Sequence, residues 1–323
     1  MLMAFDHAEF ERRGVELPRL FPAEEQAGFA FADDDALPDP MDLVRQGALV
    51  VASHSGGKDG QAMLVHLVER LKVPTSQIVC IHADLGEAEW EGTADHARAN
   101  AEAYGIPFLV CKAQNKDGEA KDLLDYVDQR GQFMSSSARF CTSDWKRGPI
   151  RRTINAYREE IGHTSPYVLN CMGLRGEESS ARAKLEPLQF VKSASCPPKP
   201  YPEILEAETR ATRRVFFDWH PIHHFSEEQV FATIAAGGQD PHWAYTTANA
   251  RRLSCLVCIF SQEQDILAAV KHSSKGREYA RRVIALEEKH DHTILPLKSM
   301  GRGKPPVKRW LKDIVGDLLD EAA

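Results

Sequence analysis

From Ala48 onward the chain alternates short apolar runs, rich in β-branched residues, with longer stretches whose apolar positions recur every three or four residues. The short runs are ALVVAS (48–53), QIVCIHAD (77–84), PFLVCKA (107–113), YVLNCMG (167–173) and RVFFDWHPI (214–222). Their length and composition predict five strands. Helical spacing fills the intervals, from about Gly60 to Leu71, Trp90 to Tyr104, Lys121 to Gln132, and after Cys141 to about Ile161. Strands separated by helices pair in parallel, so the pattern predicts an α/β sheet. After the fifth strand, SEEQVFATIAAGG (226–238) predicts a helix opened by a capping box of Ser226 and Gln229 and stopped at Gly237 and Gly238.

The regions outside this alternation define the domain expectations. Residues 1–45 contain the acidic, proline-bearing segment ADDDALPDP and no long period, and are read as an N-terminal extension. Residues 46–240 form the predicted α/β domain, and residues 241–323 a helical, cysteine-containing region. Within the α/β part, the proline-rich stretch from Ala183 to Thr212 lacks periodicity and is read as a long excursion from the sheet.

Composition narrows the class. With 323 residues, 43% hydrophobic, the chain can fill one large core or two smaller ones. No apolar run reaches the roughly eighteen residues of a membrane span, and Asp6, Glu9, Glu11, Arg12 and Arg13 do not suit a signal peptide, so a cytoplasmic location without membrane contact is the default. The net charge of −7 argues against a surface coated for nucleic acid, which leaves room only for a local basic groove. Seven scattered cysteines are not a secreted disulfide framework. Cys80, Cys111 and Cys171 lie in apolar runs and read as core, whereas Cys141, Cys196, Cys255 and Cys258 lie in polar or turn-rich surroundings.

The segment SHSGGKDG (53–60) follows the first strand and opens a helix. Such a turn offers backbone N–H groups and a positive helix end to an anion, most often phosphate. Gly56 and Gly57 permit close backbone approach, Ser53 and Ser55 add hydroxyls, and Lys58 adds a cation beside Asp59. The G-x-x-x-x-G-K-[ST] pattern fails, because Ala52 stands at the first glycine and Asp59 follows the lysine. A plain glycine-rich connection is the alternative.

SGGKDG closely resembles the SGGKD[ST] signature of the PP-loop ATP pyrophosphatases, with Gly60 in place of the usual Ser or Thr. ARFCTSDWKRGPI (138–150) and GLRGEESSAR (173–182) resemble the middle blocks of the phosphoadenosine phosphosulfate (PAPS) reductase family, and HWAYTTANARRLSCLVCIF (242–260) resembles the cysteine block of its ATP-using relatives. The resemblance implies a doubly wound, mostly parallel sheet of the adenine nucleotide alpha hydrolase type. It implies a loop that holds the pyrophosphate of ATP while an adenylate forms, and a strand-end segment HADLGEAEW (82–90) that lines the adenosine side. Asp84 would lie nearest the nucleotide or its Mg2+, or else cap the next helix. The cofactor-binding set is then Ser53, Ser55, Gly56, Gly57, Lys58, Asp59, Gly60, Asp84, Gly173, Arg175 and Glu178, with Lys58, Arg175 and Arg182 acting on the reacting phosphates.

Arg175 and Arg182 are seven apart, so they share a face if that segment is helical and could clamp phosphate; a solvated charged helix is the alternative. Lys146, Arg147, Arg151 and Arg152 form a basic cluster that either attracts an anion or is a solvated face. Cys255 and Cys258 form C-x-x-C, a spacing that binds one metal or two irons of one cluster. Cys141, in a block that the resemblance places near the cluster, is the proposed third ligand, with Cys196, then His242, or an open iron site for sulfide at the fourth position; a 4Fe-4S cluster, zinc and unliganded thiols are the three alternatives. His220, His223 and His224 read as structural or substrate-facing. Lys298, Arg302, Lys304, Lys308 and Arg309 read as a basic loop that touches phosphates or nucleic acid, or as a solvated tail.

The chain has no cysteine after Cys258, where thioredoxin-linked reductases of this family carry their nucleophile, and it retains Lys58. Both features favour ATP cleavage, as in the sulfur-activating proteins of DNA phosphorothioation systems. The partners that this resemblance implies are a nucleotide, a DNA or tRNA substrate and a sulfur-donor protein such as a cysteine desulfurase. A sulfonucleotide reductase using an external thiol, or a non-catalytic nucleotide-binding regulator, are the other classes.

Overall fold

In the computed structural model the described residues are 37–206, 213–298 and 305–320. Most of the N-terminal extension, the end of the 183–212 excursion, and Arg302 and Lys304 of the basic loop lie outside them. In chain order the elements are α1 (Pro40–Arg45), β1 (Leu49–Ser53), α2 (Lys58–Val65), β2 (Ile78–Asp84), α3 (Thr93–Glu102), β3 (Phe108–Lys112), α4 (Leu123–Arg130), α5 (Gly148–Glu160), β4 (Tyr167–Met172), β5 (Leu188–Phe190), β6 (Val215–Trp219), α6 (Glu227–Ala236), α7 (Trp243–Thr246), α8 (Glu263–His272), α9 (Ser274–His290) and α10 (Lys312–Asp320).

The sheet runs in the order β3-β2-β1-β4-β6-β5. β1 pairs in parallel with both β2 and β4, and β4 in parallel with β6. All five strands expected from the pattern are present. The sixth, β5, comes from the segment read as an excursion and lies antiparallel on β6. Its three residues are too few to show a period, which is why the pattern misses it. Strand order reverses between β1 and β4, the position at which doubly wound sheets bind ligands beyond the strand carboxyl ends. The loop after β1 therefore starts at that switch point.

The described chain divides into two compact units, the first including residues 37–82, 96–109 and 151–241, the second residues 83–95, 110–150 and 242–320. In the first, Leu49, Val50, Val51 and Ala52 are all buried, the unbroken apolar run of a strand covered on both faces. Met63 and Leu64 of α2 and Val230 and Ile234 of α6 pack in the same core. The capping box is formed as the sequence predicts, with Ser226 Oγ accepting from Gln229 N at 3.2 Å and Gln229 Oε1 accepting from Ser226 N at 2.8 Å.

The second unit has its own core, including Leu124, Trp145, Val257, Ala269, Val270, Val283 and Val315. Polar contacts join its dispersed segments. Glu91 accepts from Ser273 Oγ at 2.8 and 2.7 Å and from Lys275 N at 3.1 Å, a carboxylate at the amino end of α9. Arg282 reaches Asp122 and Asp125 at 3.0 Å each and also pairs with Glu87. The buried Glu287 accepts from Ile294 N and Leu311 N, both at 2.9 Å. Among the described residues no helix is long and apolar enough to cross a membrane.

Candidate functional site

The loop begins where β1 ends. Gly57 is the N-cap of α2 and contributes no side-chain cap, so the first-turn amides of the helix rely on other partners. Gly56 lies at φ +78°, a conformation that glycine adopts without strain. Its N–H donates to Nδ1 of His54 at 2.9 Å. Ser55 is exposed. Ser53 turns the other way, its Oγ donating to Asn170 Oδ1 at 2.7 Å while Asn170 Nδ2 donates to Asp218 Oδ1 at 2.7 Å. Its hydroxyl thus ties β1 to β4 and β6.

The charged residues of the loop are already paired. Lys58, 3% exposed, has Nζ 3.3 Å from Glu227 Oε1 and 3.7 Å from Asp59 Oδ2. Arg175, also buried, donates from Nε to Asp59 Oδ1 at 2.6 Å and from Nη1 to Glu177 Oε2 at 2.5 Å. Glu177 in turn accepts from Glu227 N at the start of α6, at 2.9 Å. Two buried cations and three carboxylates thus form one network in the first unit.

Gly173 explains how these groups come so close. A Cβ there would stand 2.6 Å from the carbonyl carbon and oxygen of Asp59 and 2.8 Å from Gly60 N. Backbone lies against backbone, and only glycine fits. The expected helical clamp is corrected, however: Gly176–Glu178 is a single 3₁₀ turn followed by turns. Arg175 faces Asp59, whereas Arg182 is held by Glu178, so the two do not work from one helical face.

Beneath the loop lies a polar layer that sequence reasoning missed. His54, Gln61, His82 and Asn100 are all buried. His82 Nδ1 contacts His54 O at 2.9 Å, Gln61 Nε2 donates to Gln239 Oε1 at 3.2 Å and to Asp240 O at 2.9 Å, and His96 Nε2 lies 3.3 Å from Gln61 Oε1. Burial, reinforced by the charges of His96 and His82, pushes the His54 imidazole down to about 3, and burial pushes His96 down to about 4. Both rings are neutral at pH 7. The signal was present in SHSGG, where a histidine at the end of a fully buried strand requires a buried partner.

The second unit holds the other candidate groups. Asp84 Oδ1 accepts from Gly86 N at 2.6 Å and Oδ2 pairs with Lys112 at 2.8 Å, a turn-capping carboxylate with a cation beside it. Cys141, Cys255 and Cys258 are half-buried around Lys146. Burial alone would lower the Lys146 ammonium, but Cys255, Glu89, Cys258 and Cys141 raise it above its ordinary value. Burial pushes the Cys255 thiol up to about 12 and raises Cys258 as well, against the pull of Lys146. Leu256 N donates to Ala88 O at 2.8 Å, which fixes the C-x-x-C loop against the segment carrying Glu89.

The two expected fourth ligands are engaged elsewhere in their own units. Cys196 lies in the first unit, its backbone paired with Arg214. His242 uses both ring nitrogens, Nδ1 accepting from Ala244 N at 3.1 Å and Nε2 meeting Glu91 O at 3.2 Å, so it caps α7. Among the described residues no three His, Cys, Asp or Glu side chains form a ready metal site. The three thiols fit a thiolate-bound cluster or zinc in donor chemistry, without standing at ligand positions. Cys80 and Cys171 are fully buried and burial raises both thiols, while Cys111 is also buried, so all three are core residues.

The histidine trio lies in the first unit. His220 Nδ1 is 3.2 Å from Glu186 O and His223 Nε2 is 2.9 Å from Arg182 O. His223 and His224 line an open cavity of about 440 Å³ with Glu177 and Ser226. In the basic tail, Lys308 pairs with Asp291 at 2.6 Å and Arg309 with Glu263 at 3.4 Å.

Residues 49–259, which contain the loop, Gly173, Arg175 and the three half-buried cysteines of the second unit, match the phosphoadenosine phosphosulfate reductase domain. The chain belongs to that family. Two solved structures are similar to this PAPS reductase-family chain. One is phosphoadenylyl-sulfate (PAPS) reductase from Candida auris in a phosphate complex, 15% identical with a TM-score of 0.39, covering 78% of this chain and 97% of that one. The other is the U34-tRNA thiolase NcsA from Methanococcus maripaludis with its 4Fe-4S cluster, 16% identical with a TM-score of 0.37, covering 81% of this chain and 82% of that one. No curated protein matches.

Proposed function

We propose that this PAPS reductase-family chain cleaves ATP to AMP and pyrophosphate, and so activates a substrate oxygen for replacement by sulfur. The observation that carries this reading is the buried Lys58 at the first position of α2, in an SGGKD loop whose backbone is clamped against Gly173. Pyrophosphate would replace Glu227 beside Lys58 and receive N–H groups from the loop and the first turn of α2. Arg175 would act through Asp59, holding the loop in shape, and so is a positioning residue rather than a direct phosphate clamp. Arg182, bound to Glu178, would support that segment. Mg2+ would accompany the nucleotide.

Cys141, Cys255 and Cys258 would hold a 4Fe-4S cluster, or zinc, with Lys146 offsetting the negative charge of their thiolates. A bound cluster would supply a site for sulfur. DNA or tRNA is the acceptor class that suits adenylation at an oxygen, with a sulfur-donor protein as partner.

Measuring pyrophosphate release from ATP against sulfite release from PAPS, in the presence of an added dithiol, tests the reading. Pyrophosphate without sulfite supports it. Sulfite release would instead establish the reductase activity for which the family is named.

A further inference from the structure

We propose that His54 is a positioning residue of the nucleotide loop, and that Gly60 is glycine because the His54 ring occupies the space of its side chain. The inference rests on the ATP reading above and explains the departure of this loop from SGGKD[ST]. A Cβ at residue 60 would meet His54 Nδ1 at 3.2 Å, His54 Cγ at 3.5 Å and Ser55 N at 3.5 Å. The neighbour must give way at such a distance, and this ring has little freedom to do so. Its Nδ1 accepts the Gly56 N–H at 2.9 Å, its backbone N donates to Ile81 O at 2.9 Å, and its carbonyl meets His82 Nδ1 at 2.9 Å. Imidazole at 54 and side chain at 60 therefore compete for one volume.

The hydrogen bond to Gly56 has a consequence for the ligand. Because Nδ1 accepts, the ring hydrogen sits on Nε2, which is buried on the side of Asn100. The ring thus ties the Gly56 peptide inward at φ +78°, the left-handed residue that bends the loop toward α2. Holding that one peptide fixes the directions of the amides that follow it, the arrangement an anion-binding nest requires. On this account Gly60 is the counterpart of His54, and marks no loss of function.

The test measures inorganic pyrophosphate and Mg-ATP binding, together with hydrogen exchange at the Gly56 amide, in wild type, His54→Ala, His54→Asn, Gly60→Ser and the double variant His54→Ala with Gly60→Ser. His54→Ala and Gly60→Ser should each weaken pyrophosphate binding by about tenfold, the scale of one lost hydrogen bond. His54→Asn, whose Oδ1 can accept the Gly56 amide, should stay near wild type. The double variant should be no weaker than His54→Ala alone, since serine then has room while the Gly56 acceptor is already gone. Exchange at Gly56 should speed up by about tenfold or more in His54→Ala with or without ligand. A merely structural histidine would give no asparagine rescue, and its effect would add to that of Gly60→Ser in the double variant. Wild type that binds while the double variant is about a further tenfold weaker than His54→Ala, or while His54→Asn loses as much as His54→Ala, overturns the role of His54. Wild type that binds neither probe contradicts the ATP reading, and the proposal with it.

Discussion

The loop of the first unit is one consecutive run, shaped by glycines and braced from below by neutral buried side chains. The thiols of the second unit come from two segments far apart in the chain and surround a cation. Local backbone chemistry makes the first, so a short sequence pattern reports it. Tertiary packing makes the second, so spacing alone reports only the pair Cys255 and Cys258. The charges follow the same division. In the first unit carboxylates hold Lys58 and Arg175, whereas in the second the Lys146 ammonium lies near three thiols and Glu89.

The largest effect is expected at Lys58. Lys58→Ala should lower ATP cleavage by two to three orders of magnitude, the scale for removing a group that stabilises charge on the reacting phosphates. The thiols of the second unit should react with a maleimide as in wild type. Next comes Gly173→Ala. A methyl 2.6 Å from the Asp59 carbonyl must displace the loop, at a cost of about 1–3 kcal/mol and most of the nucleotide affinity. Thermal unfolding and ATP titration would report the two effects separately.

Acid sharpens the contrast between the units. His54 at about 3, and His66 and His96 at about 4, are depressed by burial, so the unfolded chain takes up protons first as pH falls below about 6.5. Their contribution is fully present above that pH and is lost on the way down to about 3, on the order of several kcal/mol by pH 4. In the second unit two carboxylates oppose each other. Burial raises Glu287, which favours the folded state as pH falls. Burial would also raise Glu91, but the Ser273 hydroxyl and the Lys275 amide and charge lower it, which favours unfolding. Segment-resolved hydrogen exchange at pH 4 should therefore show the first unit opening before the second. The smallest effect belongs to Arg282→Ala, whose half-exposed ion pairs should cost about 1 kcal/mol, read as a lowered melting temperature.

Much of this was legible beforehand. Periodicity located the five longer strands and the helix capped by Ser226 and Gln229, and the apolar settings of Cys80, Cys111 and Cys171 identified them as core. β5 was hidden by its brevity. The Glu227 and Glu177 pairings were hidden because they join residues distant in sequence, and the layer under the loop was hidden because each of its polar residues looks ordinary alone. The helical reading of 175–182 failed because Gly176 and the turns after Glu178 interrupt what the seven-residue spacing suggested.

On the proposed reading this loop holds the pyrophosphate of ATP during cleavage at the α-phosphorus. The most direct measurement is the yield of AMP and pyrophosphate from Mg-ATP, using protein purified anaerobically, with DNA, with tRNA and with neither. Equal amounts of AMP and pyrophosphate, increased by one polymer and absent in Lys58→Ala, are the predicted result. ADP and phosphate as products, or AMP formation unchanged in Lys58→Ala, would contradict it.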